Sequence, residues 1–173
     1  MKKNIIIGAA ILCLILSVGF VNYAKDKAGK GHAKISYYAE DAKSLINDSQ
    51  FIVFGTAQNI KDTAVNGVNF QLVEFEVDKS TKGDINKKSV IKIIQTRDIA
   101  EESLLEKNGK FMLFLEKYSG PIADDAYVIK GLYQGNYKIS NGKIKASKDL
   151  NKKLKNEIEA ISLDEFDSFV NKK

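Results

Sequence analysis

Residues 68–79 read VNFQLVEFEVDK. Apolar and polar residues alternate here with the period of two that a half-buried β-strand requires. The apolar set is Val68, Phe70 and Leu72, then Val73, Phe75 and Val77, so the phase slips between Leu72 and Val73. A one-residue slip sends every later side chain to the opposite face, and a strand absorbs it with a β-bulge or a sharp coil. The expectation is a long strand bulged at Leu72-Val73, with both residues facing the core. Such a strand can serve two sheets, which is how small barrels turn corners.

The flanking segments extend the β pattern. Residues 51–57, FIVFGTA, are almost continuously apolar, as in a strand buried on both faces. Asn66-Gly67 is a turn signal, and residues 81–84, TKGD, close the long strand. Strands are expected at 89–96, at 110–116 (KFMLFLE, central) and at 127–130. Residues 101–107 read as a helical turn or a charged loop, and Gly120-Pro121 opens a loop over 121–126. Residues 137–140 and 143–146 flank Asn141-Gly142, which predicts a type I′ hairpin pairing Ile139 with Ile144.

Helices are expected at both ends. Tyr38, Ala42, Leu45 and Ile46 share a face at helical spacing over 37–48. Leu150, Leu154, Ile158 and Ile161 form a second stripe. Ser162 and Glu165 have the spacing of a capping box, with Ile161 and Phe166 as its staple. Leu163, Phe166, Phe169 and Val170 supply the last apolar face. The fold class is mainly β with helical flanks: a five- to seven-stranded barrel over 35–147, a short N-terminal helix inside that span, and a C-terminal helical segment over 148–173 packed on the barrel.

Several short patterns occur in a suggestive order: Asp48-Ser49-Gln50 into FIVFGTA, then VEFEVDKSTKGD, then Gly109-Lys110 into FMLFL, then Gly131 and Gly135-Asn136-Tyr137. Over residues 39–146 this order resembles small exported Gram-positive proteins of uncharacterised role. Their core is similar to the OB-like barrel of the netrin and tissue-inhibitor-of-metalloproteinase superfamily. Inhibitors of that superfamily chelate a protease zinc with an N-terminal cysteine. This sequence departs there, so the resemblance implies a fold and transfers no functional residue.

The start of the sequence bears on location. Lys2-Lys3 precede an apolar run at 5–21, the order of a signal peptide. The run is about 17 residues long, the lower edge of a membrane-spanning helix. Residues 1–24 are therefore expected to be a cleaved leader or an N-terminal anchor. A cut after Ala24 places Asn22 at −3, where a small residue is preferred. Cys13, the only cysteine, lies inside the run, preceded by Leu12, and reads as one of its apolar residues. An exported domain without disulfides suits a Gram-positive bacterium better than an animal extracellular module. Residues 25–34, KDKAGKGHAK, have nothing to bury and read as a flexible tether.

Composition narrows the chemistry. The only histidine, His32, falls in the tether, so a Ser-His-Asp or Cys-His pair within the domain is excluded, as is a zinc site built on His or Cys. No cofactor and no metal site is expected. Asp124-Asp125 and Glu101-Glu102 are paired acids able in principle to bind Ca²⁺ or to act in glycoside hydrolysis. No phosphate-binding loop occurs. The net charge is +5, or +3 without Lys2 and Lys3, which together with export disfavours nucleic acid. Tyr118, Tyr127, Tyr133 and Tyr137 cluster around the fourth and fifth strands and are the candidate ligand-binding residues. OB-like barrels bind oligomeric ligands on such a face.

The functional expectation is an exported, cell-surface or secreted, non-enzymatic binding module whose partner is a protein or a wall polymer. Membrane contact would come only through residues 5–21 of an uncleaved leader. The alternative is a carboxylate-dependent hydrolase, or a modulator of one, acting on cell-wall polymers.

Overall fold

Five strands of this protein close on themselves. The computed structural model describes residues 37–99 and 103–172. The expected leader, the tether with His32, and Glu101-Glu102 lie outside the described residues. In chain order the elements are α1 (Ala42–Asp48), β1 (Phe51–Val65), β2 (Val68–Lys82), β3 (Val90–Thr96), β4 (Lys110–Lys117) and β5 (Ala126–Ile129). A 3₁₀ turn (Leu132–Gly135), β6 (Asn136–Ser140), β7 (Lys143–Ala146), α2 (Lys152–Glu159) and α3 (Phe166–Asn171) follow. The sheet order is β1-β2-β3-β5-β4-β6-β7, and β1 also pairs with β4. That extra pairing joins β1, β2, β3, β5 and β4 into a ring. Its pairs are antiparallel except β3–β5, which is parallel. The hairpin β6–β7 continues the sheet outward from the other edge of β4.

The two near-continuous apolar strands are the ones that face two cores. In β4, Phe111, Leu113 and Leu115 point into the ring, while Met112 and Phe114 point outward beneath the helices. In β1, Val53 and Ala57 point in, and Ile52 and Phe54 point out. A strand with apolar neighbours on both faces has no polar alternation to show. The outer core is roofed by α1, α2 and α3 through Leu45, Leu154, Ile158 and Phe166, all fully buried. The last stripe holds at Phe166, Leu163 and Val170, but Phe169 is exposed.

The bulge expected at Leu72-Val73 is absent there. Pairing of β2 with β3 runs in unbroken register from Phe70↔Thr96 to Glu76↔Val90. On the β1 side Ile60↔Val73 and Lys61↔Leu72 are also consecutive. The ring-facing positions are Gln71, Val73, Phe75 and Val77, all buried, while Leu72 is half-buried on the outer face. The apparent slip is therefore a glutamine at a core position. The register does shift elsewhere, leaving Gln58 of β1 and Asp78 and Thr81 of β2 without opposite partners. These bulges bend the two 15-residue strands enough to close the ring.

α1 begins at its cap rather than at residue 37, and Tyr38 stands exposed outside it. The Asp41 side chain accepts from the Ser44 N–H at 2.9 Å, and the Asp41 N–H donates to Ser44 Oγ at 3.3 Å. At the other end Lys82 Nζ donates to the Ile46 and Asn47 carbonyls, where a cation complements the helix dipole. The Ser44 N–H, and beside it Lys153 Nζ at 3.0 Å, lower the Asp41 carboxyl from 3.8 to about 2. A depressed folded-state value adds stability that is present above the unfolded value and lost as pH falls through the folded one. Asp41→Ala is thus expected to lower the melting temperature at neutral pH. Its deficit against the wild type should shrink between about pH 4 and about pH 2. A deficit unchanged across that window would contradict the cap.

The Asn141-Gly142 turn is as expected: φ is +51° and +71°, and Ile139 pairs with Ile144. The capping box expected at Ser162 and Glu165 does not open α3: the helix starts after Glu165, which makes no side-chain cap bond, and the Ser162–Glu165 contacts belong to the turn before it. Ser162 Oγ contacts the Glu165 carboxylate at 2.7 Å and accepts from the Glu165 N–H at 3.3 Å.

Candidate functional site

The four tyrosines do not share a surface. Tyr137 is fully buried in the outer core, edge-on to Phe114 at 5.6 Å. It pairs with Met112, on the face of β6 that the helices cover. That placement removes it from any exposed stacking platform. Tyr133 is half-buried against the same core. Tyr127 packs on the other core, inside the ring, edge-on to Phe51 at 5.2 Å with Lys117 Nζ 4.6 Å from its ring. Tyr118 is half-buried in the β4–β5 loop, its hydroxyl accepting from the Ile122 N–H at 3.4 Å.

Burial pushes the Tyr137 phenol above its ordinary value, with the Glu159 carboxylate adding to the shift. Its hydroxyl has no hydrogen-bond partner among the described residues. A buried unsatisfied hydroxyl costs about 1–3 kcal/mol, so Tyr137→Phe is expected to be neutral or to stabilise by about 1 kcal/mol. Urea unfolding measures this, and a clear loss of stability would mean that the hydroxyl has a bonding role.

The carboxylates are similarly dispersed. Asp125 sits in an exposed turn 3.4 Å from Lys117 Nζ. No cluster of three or more His, Cys, Asp or Glu suited to a metal occurs among the described residues. An open concavity of about 430 Å³ near the turn end of the β1–β2 hairpin includes Asp62, Asn69, Arg97 and Asp98. Its charges are already paired: Arg97 with Asp62 at 2.7 Å, and Asp98 with the Asn69 N–H at 2.8 Å. The latter bond leads in holding the Asp98 carboxyl below its usual range.

A second groove, of about 210 Å³, is constructed differently. It lies between the segment 103–106 and the β6–β7 hairpin, where the sheet runs on past the closed ring. Three buried amides fix the segment. Gln71 and Gln95 face each other in register, and Gln71 Nε2 donates to Gln95 Oε1 at 2.9 Å. Gln95 Oε1 also accepts from the Leu105 N–H at 2.8 Å, and Gln71 Nε2 donates to the Leu105 carbonyl at 3.1 Å. Leu105 itself is buried in the ring core. Gln95 Nε2 and Asn136 Nδ2 both donate to the Ser103 carbonyl, at 3.0 and 2.6 Å.

Asn136, Lys138 and Lys145 line the other wall. Asn136 opposes Leu113 and Lys138 opposes Phe111, so both stand on the face of β6 that continues the ring interior. β6 can dock on β4 because Gly135 leaves room. A Cβ there would lie 2.7 Å from the Lys130 carbonyl and 2.8 Å from that of Phe114. Asn136 is only 4% exposed, and its Oδ1 has no partner among the described residues. Leaving a buried acceptor unpaired is costly, which marks the position as one to explain.

None of these groove residues was a candidate from the sequence. A signal existed in the hairpin: pairing Ile139 with Ile144 across a two-residue turn necessarily sets Lys138 opposite Lys145. No protein-family model matches the chain, and no curated protein matches it.

Proposed function

We propose that this chain is an exported, non-enzymatic binding module whose ligand seat is the groove between residues 103–106 and the β6–β7 hairpin. The observation that carries the reading is Asn136, a buried carboxamide lining a polar groove with its acceptor oxygen unpaired. Together with Gln71 and Gln95 it makes three buried amide side chains that hold one short segment in place. Fixing polar groups on a rigid frame is what a binding site requires.

The ring is OB-like in this proposal. Five strands closing in the order β1-β2-β3-β5-β4, with β3 parallel to β5, support that reading, as does the resemblance to the netrin and tissue-inhibitor superfamily. Export rests on Lys2-Lys3 and the apolar run at 5–21, and places the partner, a protein or a wall polymer, at the cell surface. No helix among the described residues is long and apolar enough to cross a membrane.

The test is a map of backbone-amide shifts during titration with surface polymer extracted from the native host. Shifts concentrated at 103–106, 136–138 and 145–147 are expected. A response confined to the outer faces of β2 and β3 would move the site elsewhere. N-terminal sequencing of protein from the host tests export, and full-length chain found solely in the cytosol would overturn it.

A further inference from the structure

We propose that the groove takes a hydroxyl-bearing anion, a unit carrying a phosphate or carboxylate beside a free hydroxyl. This rests on the reading of the groove as the ligand seat. Lys138 and Lys145 are directly opposed across β6 and β7 and point to the same face. Like charges in that relation destabilise a sheet unless something offsets them. Lys138 has one acidic partner, Glu106 at 2.7 Å, and both ends of that pair are largely exposed. Lys145 has no ion-pair partner among the described residues. Among the described residues that line the groove, two lysines therefore stand against one glutamate.

Protection of a free sheet edge accounts for lysine on β7, which ends the sheet. It does not account for Lys138, since β6 is flanked by β4 on one side and β7 on the other. An ammonium is a point donor that takes a single anionic oxygen, so phosphate and carboxylate satisfy the pair equally. An anion alone would leave Asn136 Oδ1 unpaired, because that oxygen needs a donor. A hydroxyl next to the anion supplies one, and because the oxygen is closed off from solvent it is reached only with a turn of the Asn136 side chain toward the groove. The volume, about 210 Å³, suits one glycerol- or sugar-sized unit and is below that of pockets for drug-sized ligands.

Titrations of isotope-labelled protein at low salt with four probes decide the matter: glycerol 3-phosphate, galacturonate, inorganic sulfate and glycerol. The first or second is expected to shift the amides of Ser103, Glu106, Asn136, Lys138 and Lys145, and which of them does so identifies the anion. Affinity should fall at least about fivefold in the double variant K138Q/K145Q and on raising the salt. It should stay within about twofold in K87Q/K152Q, which removes two exposed lysines elsewhere. Sulfate or glycerol binding as tightly as the hydroxylated anions overturns the inference, as does equal weakening in the two double variants. A neutral ligand that moves the groove amides undiminished in K138Q/K145Q overturns the anion inference alone. Shifts by every probe outside the groove overturn the binding reading itself.

Discussion

Val73→Asp is expected to cost about 4 kcal/mol or more and Leu72→Asp about 1 kcal/mol, although the two residues are neighbours. Val73 is fully buried in the apolar core of the ring, where a carboxylate is cut off from water. Leu72 is half-buried on the outer face, so a carboxylate there keeps access to water. Domains of this size are stable by roughly 5–15 kcal/mol, so the first variant should be largely unfolded or close to it. Urea titration of both variants reads the difference. Equal losses would restore the bulge that the sequence alone suggests and contradict the register.

Phe166→Ala is expected to cost about 3–5 kcal/mol. Its ring is fully buried, edge-on to Phe54 at 5.5 Å and to Phe114 at 6.3 Å. Those partners belong to β1 and β4, the pair that closes the ring. α3 is short and exposes Phe169, so Phe166 is its main hold on the sheet beyond the Asp167 contacts to Lys79 and Thr81. Phe169→Ala, by contrast, should change stability by less than about 1 kcal/mol. A small loss at Phe166 would show that the tail is not part of the cooperative unit.

Much of this architecture was readable from particular residues. The apolar run at 51–57 announced a strand buried on both faces, and the run at 110–116 a central one. Asn141-Gly142 specified its turn and the pairing of Ile139 with Ile144. The bulges were not readable, because Gln58, Asp78 and Thr81 lie in mixed polar stretches where alternation carries little signal. Gln71 misled for the opposite reason. A buried polar side chain is tolerated where neighbouring amides satisfy it, and Gln95 and Leu105 come from distant segments. Closure of β1 on β4 is likewise a long-range pairing without a local mark.

The site divides in the same way. Tyr137 was a candidate because it is aromatic and lies in a strand, yet strand parity puts it on the side of Ile139, facing the core. The same parity places Asn136 and Lys138 on the other side. Their significance depends on residues 103–106 folding over them, which a pattern of residue types does not foretell.

The most direct test of the account is a crystal structure of the protein with the hydroxylated anion that the titrations select. An anionic oxygen is expected between Lys138 Nζ and Lys145 Nζ, with a ligand hydroxyl about 3 Å from Asn136 Oδ1. A ligand bound on the outer face of β2 and β3, with nothing between residues 103–106 and the β6–β7 hairpin, would contradict it.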